Sequence, residues 1–253
     1  MPLETSSPLV SGSTPKLRIG LLLCDHVLPE LLPIAGSYQD MFTALFSERP
    51  EIELVSYDLL NGQYPLDTAE CDGWISTGSK WSVSDDEPWI KWFEGFVRRM
   101  YREESPHVGV CFGSQMIAHA LDGEVTLRAA GWGVGVAETD VTESAAWMVP
   151  HRDSFQVVVS YQDQITKLPT DAQLIASTDH CPVSMFAMGH HFLGVGGHPE
   201  IPIPYIRALI ESRRGDRIPE PTADAGLASL QHTPDALLLR DWMTEFLLRA
   251  VTS

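Results

Sequence analysis

The alternation of short apolar runs with amphipathic segments is the sequence feature that most constrains this fold. The first run, LRIGLLLC at residues 17–24, is mostly apolar and has the length of a strand. Such runs are typical of strands buried on both faces of a parallel sheet. Residues 37–48 space their apolar side chains at helical intervals, and a second strand is predicted from Ile52. The order strand, helix, strand indicates an α/β fold.

The same alternation continues through the middle of the chain. The next predicted elements are a strand from Asp72, a helix from Ser84, a strand from His107 and a helix from Ser114. The helix from Ser84 opens with acidic residues, carries Pro88 in its first turn and closes with basic residues, as the helix dipole favours. The strand from His107 and the helix from Ser114 are contiguous, so we expect a tight turn between them.

The later half of the chain has a different pattern. Short β-like segments predominate there, and helices are predicted near 203–214 and 235–251 with a connector between them. We therefore predict an α/β fold of the flavodoxin-like, doubly wound type, with a mostly parallel sheet, helices on both faces and a β-rich later half. A single domain is expected over residues 17–253, preceded by a disordered tail, rich in Ser, Thr and Pro, at residues 1–16.

The chain carries a strong negative charge. Its 17 Lys and Arg residues against 34 Asp and Glu residues give a formal net charge of −17 at pH 7. Such a charge repels phosphate backbones and anionic membrane surfaces, so neither a nucleic acid nor a membrane is an expected partner. The sequence also lacks the run of about 18 apolar residues that a membrane-spanning helix requires.

The spacing of cysteines and histidines favours reduced thiols over a metal site or a disulfide framework. Four cysteines lie far apart with no CxxC pair: Cys24, Cys71, Cys111 and Cys181. This spacing suits reduced thiols in the cytosol, so we expect a cytoplasmic protein. The neighbours His190 and His191 lack a third ligand at a familiar metal spacing. No metal and no other cofactor are therefore predicted.

Residues 109–115, GVCFGSQ, place a cysteine between two glycines at the predicted strand-to-helix turn. Gly109 to Gly113 has the form of the G-x-S-x-G nucleophile elbow with cysteine in the serine position. The glycines allow strand and helix to approach closely, which puts the sulfur of Cys111 at the ligand-binding edge of the sheet. The positive end of the helix favours a thiolate. Cys111 is thus the candidate nucleophile, although a buried core cysteine is the alternative reading.

A candidate base lies at the end of a later apolar strand. The segment GGHPE at residues 196–200 contains His198 and Glu200. We expect His198 at the same edge of the sheet as Cys111, where it takes the thiol proton and returns it to a leaving amine. Glu200 is expected to hold the imidazole in the required tautomer. Because nine histidines are present, the pairing depends on both motifs and not on histidine alone.

The two motifs together give the chain a resemblance to a known family. GVCFGSQ resembles the G-x-C-x-G-x-Q nucleophile motif of class I glutamine amidotransferases, and GGHPE resembles their histidine motif. The order Cys, His, Glu and the spacing 198 − 111 = 87 residues agree with the Cys-His-Glu type. The resemblance covers roughly residues 17–215. Residues 160–200 look most like the stand-alone branch that includes γ-glutamyl peptidases.

The resemblance implies a role for each residue of the candidate triad. Cys111 would attack the γ-carbonyl of glutamine or of a γ-glutamyl amide, form a thioester and release the amine. His198 would act as acid and base, with Glu200 orienting its ring. Water would then complete the cycle.

The resemblance also implies the groups that surround the triad. The backbone N–H groups of Gly78 and Phe112 would form the oxyanion hole. Gln115 matches the motif glutamine that helps to hold the glutamyl part of the substrate, and Ser160 and Tyr161 are further candidate substrate contacts.

The sequence departs from the family pattern at three places. Thr77-Gly78-Ser79 stands where the family commonly has Gly-Gly-Pro, so one glycine is kept. Tyr161 stands where related sequences usually carry histidine, and Gly196 replaces a frequent glutamine. All three lie where the acyl group or the amine would be recognised, so they bear on specificity before they bear on chemistry.

Three functions are consistent with the sequence. The leading hypothesis is cysteine-dependent hydrolysis of the γ-amide of glutamine or of a γ-glutamyl compound, which releases ammonia or an amine. A second is a glutaminase subunit that supplies ammonia to a separate synthetase, since no ATP-grasp, PP-loop or P-loop signature occurs in this chain. A third is a catalytically silent regulatory protein that binds a γ-glutamyl ligand. Each version expects a small glutamine or γ-glutamyl ligand.

Overall fold

The computed structural model describes residues 16–252. Nine of its strands form a central sheet, and two more form a small separate sheet. The predicted tail at residues 1–16 lies outside the described residues except for Lys16. The strands are β1 (Leu17–Leu23), β2 (Ile52–Asp58), β3 (Gly73–Ser76), β4 (His107–Val110), β5 (Glu124–Leu127), β6 (Gly133–Val141), β7 (Ser154–Tyr161), β8 (Asp163–Lys167), β9 (Ala172–Thr178), β10 (Cys181–Met188) and β11 (Phe192–Val195).

The α-helices alternate with the first strands and close the chain. They are α1 (Leu32–Ala35), α2 (Tyr38–Leu45), α3 (Pro88–Arg102), α4 (Phe112–Ala120), α5 (Ile203–Arg213), α6 (Glu220–Ser229) and α7 (Ala236–Thr252). Within the described part of the chain, none of the helices combines the length and the apolar character needed to cross a membrane.

The strand order of the large sheet is β2-β1-β3-β4-β11-β10-β9-β6-β7. The first five strands in this order are parallel to one another. The remaining four continue the sheet in antiparallel pairs. The parallel strands with helical crossovers confirm the predicted doubly wound α/β fold, and the antiparallel strands form its β-rich later half.

Helices cover both faces of the parallel strands. In β1, Ile19 and Leu21 belong to a core formed with α2 and α7, whereas Leu22 belongs to a second core formed with α3 and α4. All three side chains are fully buried, as expected for a strand between two helical layers. A third cluster packs α5 and α6 against β6 and β7.

A buried polar pair joins β3 to β4. Ser76 Oγ and His107 Nε2 lie 2.8 Å apart in a hydrogen bond, and both residues are fully buried. Burial lowers the pKa of His107 to about 3. The ring is therefore neutral, and no charge is placed between the two central strands.

The predicted helix at 37–48 is shorter in the structure. Ser37 is the N-cap, and its hydroxyl accepts from the N–H of Asp40 while the Asp40 carboxylate accepts from the N–H of Ser37. This capping box fixes the start of α2. The helix ends at Leu45 and is followed by its C-cap Phe46.

The connector predicted between the last two helices is wrong, because residues 220–229 form α6. This helix presents small residues to the sheet: a Cβ on Gly226 would lie 2.8 Å from Val134 Cγ2. A face of Ala and Gly lacks the apolar periodicity that reveals a helix in sequence. The two-stranded antiparallel sheet of β5 and β8 was also not predicted, since its residues are largely polar or exposed.

Candidate active site

The turn between β4 and α4 holds Cys111 in an unusual backbone conformation. Cys111 has φ 51° and ψ −104°. Residues other than glycine rarely adopt this backbone conformation, and those that do are often found at functional sites. A Cβ on Gly109 would lie 2.5 Å from the carbonyl carbon of Gly113, and a Cβ on Gly113 would overlap Ser76 Oγ. The close approach of strand and helix that the sequence predicted is therefore present.

Neighbouring parallel strands bring His198 to the same edge of the sheet. β11 pairs in parallel with β4, with Val195 opposite Val110. His198 follows three residues after Val195, and its N–H donates to the carbonyl oxygen of Val158 in β7 at 2.8 Å. The antiparallel half of the sheet thus fixes the loop that carries this histidine.

Glu200 holds one nitrogen of the His198 ring. Nδ1 of His198 and Oε1 of Glu200 lie 2.8 Å apart, and both side chains are buried. A carboxylate accepts but does not donate, so the proton of this bond belongs to Nδ1 and Nε2 is available to a second partner. This is the tautomer that a general base near Cys111 requires.

The charges around His198 favour its protonated form. Burial alone would lower the pKa of His198, but the charges of Cys111 and Glu200, with side-chain hydrogen bonds to both, outweigh it and raise the pKa well above its usual value. An imidazolium between a thiol sulfur and a carboxylate can stabilise a thiolate and later donate a proton.

A cleft of about 300 Å³ opens onto these residues. Among the predicted site residues, those that line it are Cys111, His198, Gln115, Ser160 and Tyr161. Gly78, Glu200 and Phe112 are buried and are not part of the lining. The structure therefore brings the predicted residues of the two motifs together at a single opening.

The loop with Gly78 lies directly against the candidate catalytic side chains. A Cβ on Gly78 would lie 2.6 Å from His198 Cε1 and 3.5 Å from Cys111 Cβ. The hydroxyl of Thr77 accepts from the N–H of Cys24 at 2.9 Å, and the N–H of Thr77 donates to the carbonyl oxygen of Leu22 at 3.1 Å. Thr77, the departure from the glycine-rich pattern, thus ties this loop to the end of β1.

Phe112 is the first residue of α4. Its N–H belongs to the first turn of a helix, whose N–H groups have no acceptor within the helix and point toward the N-terminus. The N–H groups of Gly78 and Phe112 remain the predicted oxyanion hole.

The three predicted substrate contacts lie on neighbouring elements of the cleft. The side-chain amide of Gln115 donates to the carbonyl oxygen of Asp163 at 2.9 Å. Tyr161 packs over Gly133, where a Cβ would lie 2.9 Å from the tyrosine ring. Burial raises the pKa of Tyr161, and interaction with Cys181 raises it further, so the hydroxyl is neutral and can donate. Ser160 is half-buried beside it.

Sequence reasoning missed Asp25, which braces the cleft. Its buried carboxylate accepts from the N–H of Lys80 at 2.8 Å and from the N–H of His26 at 2.8 Å, and it forms an ion pair with Lys80 Nζ at 3.1 Å. An acidic residue directly after the first parallel strand is a signal that points to the same edge of the sheet. The side chains of Trp81 and Trp132 also line the cleft.

Arg213 and Arg217 were missed as well. Both line the cleft from the end of α5 and the turn after it. Basic residues near the C-terminal end of a helix ordinarily interact with the helix dipole. The sequence therefore does not distinguish these two arginines from other basic residues at helix ends.

Residues 85–203 match the family model of class-I glutamine amidotransferases. The matched region is a little under half of the 253-residue chain. It contains both the Cys111 turn and the His198 loop, so the amidotransferase match and the cleft coincide.

Three curated proteins are similar to this chain at 26% to 30% identity. A glutamine amidotransferase-like protein of Schizosaccharomyces pombe is 26% identical over 246 residues, which cover 91% of this chain and 98% of that protein. Gamma-glutamyl peptidase 3 of Arabidopsis thaliana is 27% identical over 173 residues, which cover 65% of this chain and 69% of the peptidase. A glutamine-hydrolyzing GMP synthase of Clostridium botulinum is 30% identical over 122 residues, which cover 43% of this chain and 24% of the synthase.

A solved structure shares the fold. The crystal structure of a glutamine amidotransferase from Thermotoga maritima superimposes with a TM-score of 0.72 at 18% identity, and the match covers 94% of this chain and 99% of that one. The shared architecture includes the antiparallel strands, because the match extends over nearly the whole chain.

Proposed function

We propose that this chain is a cysteine hydrolase that cleaves the γ-amide bond of glutamine or of a γ-glutamyl compound through a glutamyl thioester. The observation that carries the proposal is the convergence of Cys111 and the hydrogen-bonded His198–Glu200 pair on one cleft. Similarity to γ-glutamyl peptidases supports the same substrate class. The proposed domain spans residues 17–253 and needs no cofactor.

In the first half of the proposed reaction, the amine leaves. The thiol proton of Cys111 passes to Nε2 of His198, which gives a thiolate–imidazolium pair, and the thiolate sulfur then attacks the γ-carbonyl carbon. The carbonyl π electrons move to oxygen, and the N–H groups of Gly78 and Phe112 stabilise the oxyanion. Loss of one such donor typically raises the barrier by about 2.7–4 kcal/mol. His198 then protonates the departing nitrogen as the C–N bond breaks, which leaves a glutamyl thioester on Cys111.

In the second half, water replaces the amine. His198 accepts a proton from water while the water oxygen attacks the thioester carbon. Collapse of the second oxyanion breaks the C–S bond, and glutamate leaves as the thiol of Cys111 is restored. Glu200 keeps the imidazole oriented during both halves, because Nδ1 carries the proton of their hydrogen bond in both the neutral ring and the imidazolium.

Release of glutamate tests this proposal directly. Purified protein is incubated with glutamine and with a panel of γ-glutamyl amides, and free glutamate is followed over time. We expect glutamate from at least one compound, and none from the Cys111→Ala variant. If glutamate stays absent across the panel while Cys111 is readily alkylated, the proposed hydrolase activity is wrong.

Supply of ammonia to a separate synthetase is the second candidate function. The similarity to a GMP synthase favours it, because the matched part of that protein is 24% of its length and the chain has no synthetase signature of its own. A glutaminase activity that rises when a co-purifying synthetase is added supports this version. Full activity of the isolated chain on γ-glutamyl amides contradicts it.

A silent, ligand-binding protein is the third candidate. The Thr77-Gly78-Ser79 loop and Tyr161 motivate it, since both depart from the family pattern. The retained Cys111, His198 and Glu200 favour catalysis, because ligand binding alone does not need all three. If a Cys111→Ala variant keeps its biological activity, the hypothesis of a catalytically silent protein is favoured.

A further inference from the structure

Two arginines without a carboxylate partner line the cleft. Arg213 is the last residue of α5, and Arg217 lies four residues beyond it. Among residues 16–252, neither guanidinium lies within ion-pair distance of an acidic side chain. In a chain with a net charge of −17, two unpaired cations at one opening indicate an anionic ligand.

The surroundings of Arg213 hold its guanidinium in place. The group lies 5.6 Å from the centre of the Trp132 ring, in a cation–π arrangement. Burial lowers the pKa of Arg213, and the like charge of Arg217 acts in the same direction, while Tyr38, Tyr205 and Asp25 act in the opposite direction. A half-buried cation beside a second cation is destabilised, and an anion bound between them would relieve both effects.

The other charged side chains that line the cleft are those of Lys80, Asp25, Asp85 and Asp163. Lys80 pairs with Asp25 at 3.1 Å, and the Asp85 carboxylate accepts from the N–H of Ser82 at 2.9 Å. Among the Lys and Arg side chains that line the cleft, Arg213 and Arg217 are therefore the two without an acidic partner in the described residues 16–252.

The position of these arginines along the chain indicates which part of a substrate they would face. Gln115, expected to contact the glutamyl part, lies on α4 directly after Cys111. Arg213 and Arg217 lie on and after α5, the helix that follows the His198–Glu200 loop. His198 is the group that protonates the leaving amine, so the leaving group is expected on its side of the scissile bond.

We propose that Arg213 and Arg217, packed with Trp132, form a subsite for a carboxylate on the leaving amine. The substrates would then be γ-glutamyl amino acids or γ-glutamyl peptides with a free C-terminal carboxylate, in preference to glutamine. This inference rests on the proposed γ-glutamyl hydrolase function. A guanidinium can hold a carboxylate through two parallel N–H···O bonds, which gives both affinity and orientation.

Three substrates that differ by one carboxylate test the subsite. γ-Glutamylglycine carries both carboxylates, γ-glutamylglycinamide lacks the one on the leaving group, and 4-aminobutyrylglycine lacks the one on the glutamyl part. Arg213→Gln and Arg217→Gln are compared with wild type and with Arg207→Gln, an exposed arginine of the same helix outside the cleft.

We expect the arginine variants to lose affinity only for ligands with the leaving-group carboxylate. KM for γ-glutamylglycine should rise by about tenfold to a hundredfold, the range for loss of a charged hydrogen bond. KM for γ-glutamylglycinamide and the values for Arg207→Gln should stay close to wild type. An equal loss for acid and amide, no loss at all, or a loss that follows the glutamyl carboxylate would overturn the proposal.

Binding separates this inference from the proposed hydrolase activity. Calorimetric titration of the three compounds into Cys111→Ala, with and without Arg213→Gln, measures affinity where no turnover occurs. Tighter binding of γ-glutamylglycine than of its amide, lost with Arg213→Gln, supports the subsite even if wild type releases no glutamate. Equal binding of the two compounds excludes the subsite even if wild type is an active hydrolase.

Discussion

The backbone N–H of Cys111 donates to the carbonyl oxygen of Val195 at 2.8 Å. This bond ties the turn that carries the candidate nucleophile to the end of β11, three residues before His198. The register of two adjacent parallel strands, and not a flexible loop, therefore sets the relative position of the two motifs. Any change that shifts β11 against β4 should act on catalysis before it acts on folding.

Replacing Cys111 by serine should abolish hydrolysis with little effect on stability. A serine hydroxyl is a much weaker nucleophile than a thiolate, so we expect glutamate release to fall by at least about a thousandfold. Cys71→Ala is the matched control, because Cys71 is also buried but lies in the α3 and α4 core. Comparable loss of activity in both variants would assign the effect to packing instead.

Replacing Glu200 by glutamine should lower the pKa of His198. Burial of His198 would then be opposed by the charge of Cys111 and the hydrogen bond to it, without the charge of Glu200. As pH rises through this pKa, the imidazolium that protonates the leaving amine is lost, so the alkaline limb of the pH–rate profile should move to lower pH. NMR titration of the imidazole measures the shift directly. An unchanged titration in Glu200→Gln would contradict the assignment; Glu211→Gln, exposed on α5, serves as the control.

Replacing Gly78 by alanine should reduce turnover more than stability. The new methyl group would lie 2.6 Å from His198 Cε1 and must displace the ring or the loop. Loss of one oxyanion-hole donor typically costs about 2.7–4 kcal/mol, so displacement of the Gly78 N–H should lower kcat by about a hundredfold.

Gly95→Ala provides the comparison for Gly78→Ala. Gly95 lies within α3, and a Cβ there would have no atom within 4 Å. Alanine in a helix interior is favoured over glycine by about 1 kcal/mol, so this variant should be slightly more stable and fully active. Equal activity of the two alanine variants would show that the Gly78 loop does not contribute to the active site.

His107 should make the protein sensitive to acid. Its pKa is about 3 in the folded state against an ordinary value of 6.5. Between these values the unfolded chain binds the extra proton, so the free energy of unfolding should fall as pH falls, by up to about 1.4 kcal/mol per pH unit. Urea unfolding between pH 7.5 and pH 4 measures the slope. His107→Gln should flatten it and exposed His232→Gln should not; a slope that persists in His107→Gln refutes this assignment.

The sequence was sufficient to predict the parallel strands, whereas the triad of Cys111, His198 and Glu200 stays a prediction that the geometry around the cleft supports. Runs such as residues 17–24 are apolar because both faces of the strand are buried, and that condition is visible in composition. Cys111 and His198 were recognisable because each lies within a glycine-containing motif. A side chain at these glycines would clash with neighbouring atoms, so the glycines indicate places where chain segments pack closely together.

Features that depend on distant partners were not predictable. Asp25 and Lys80 are 55 residues apart and meet only when β1 and β3 are paired. In the sequence, Arg213 and Arg217 look like ordinary basic residues, and only the position of α5 beside the cleft sets them apart. The helix α6 was missed because it packs through small residues, which give no apolar period.

The backbone of Cys111 also sets a limit on how stable this protein can become. A left-handed φ of 51° costs a non-glycine residue free energy in the folded state. Glycine at this position would remove that cost together with the sulfur. Stability and reactivity therefore oppose each other at residue 111, and selection for thermal tolerance alone should replace the cysteine first.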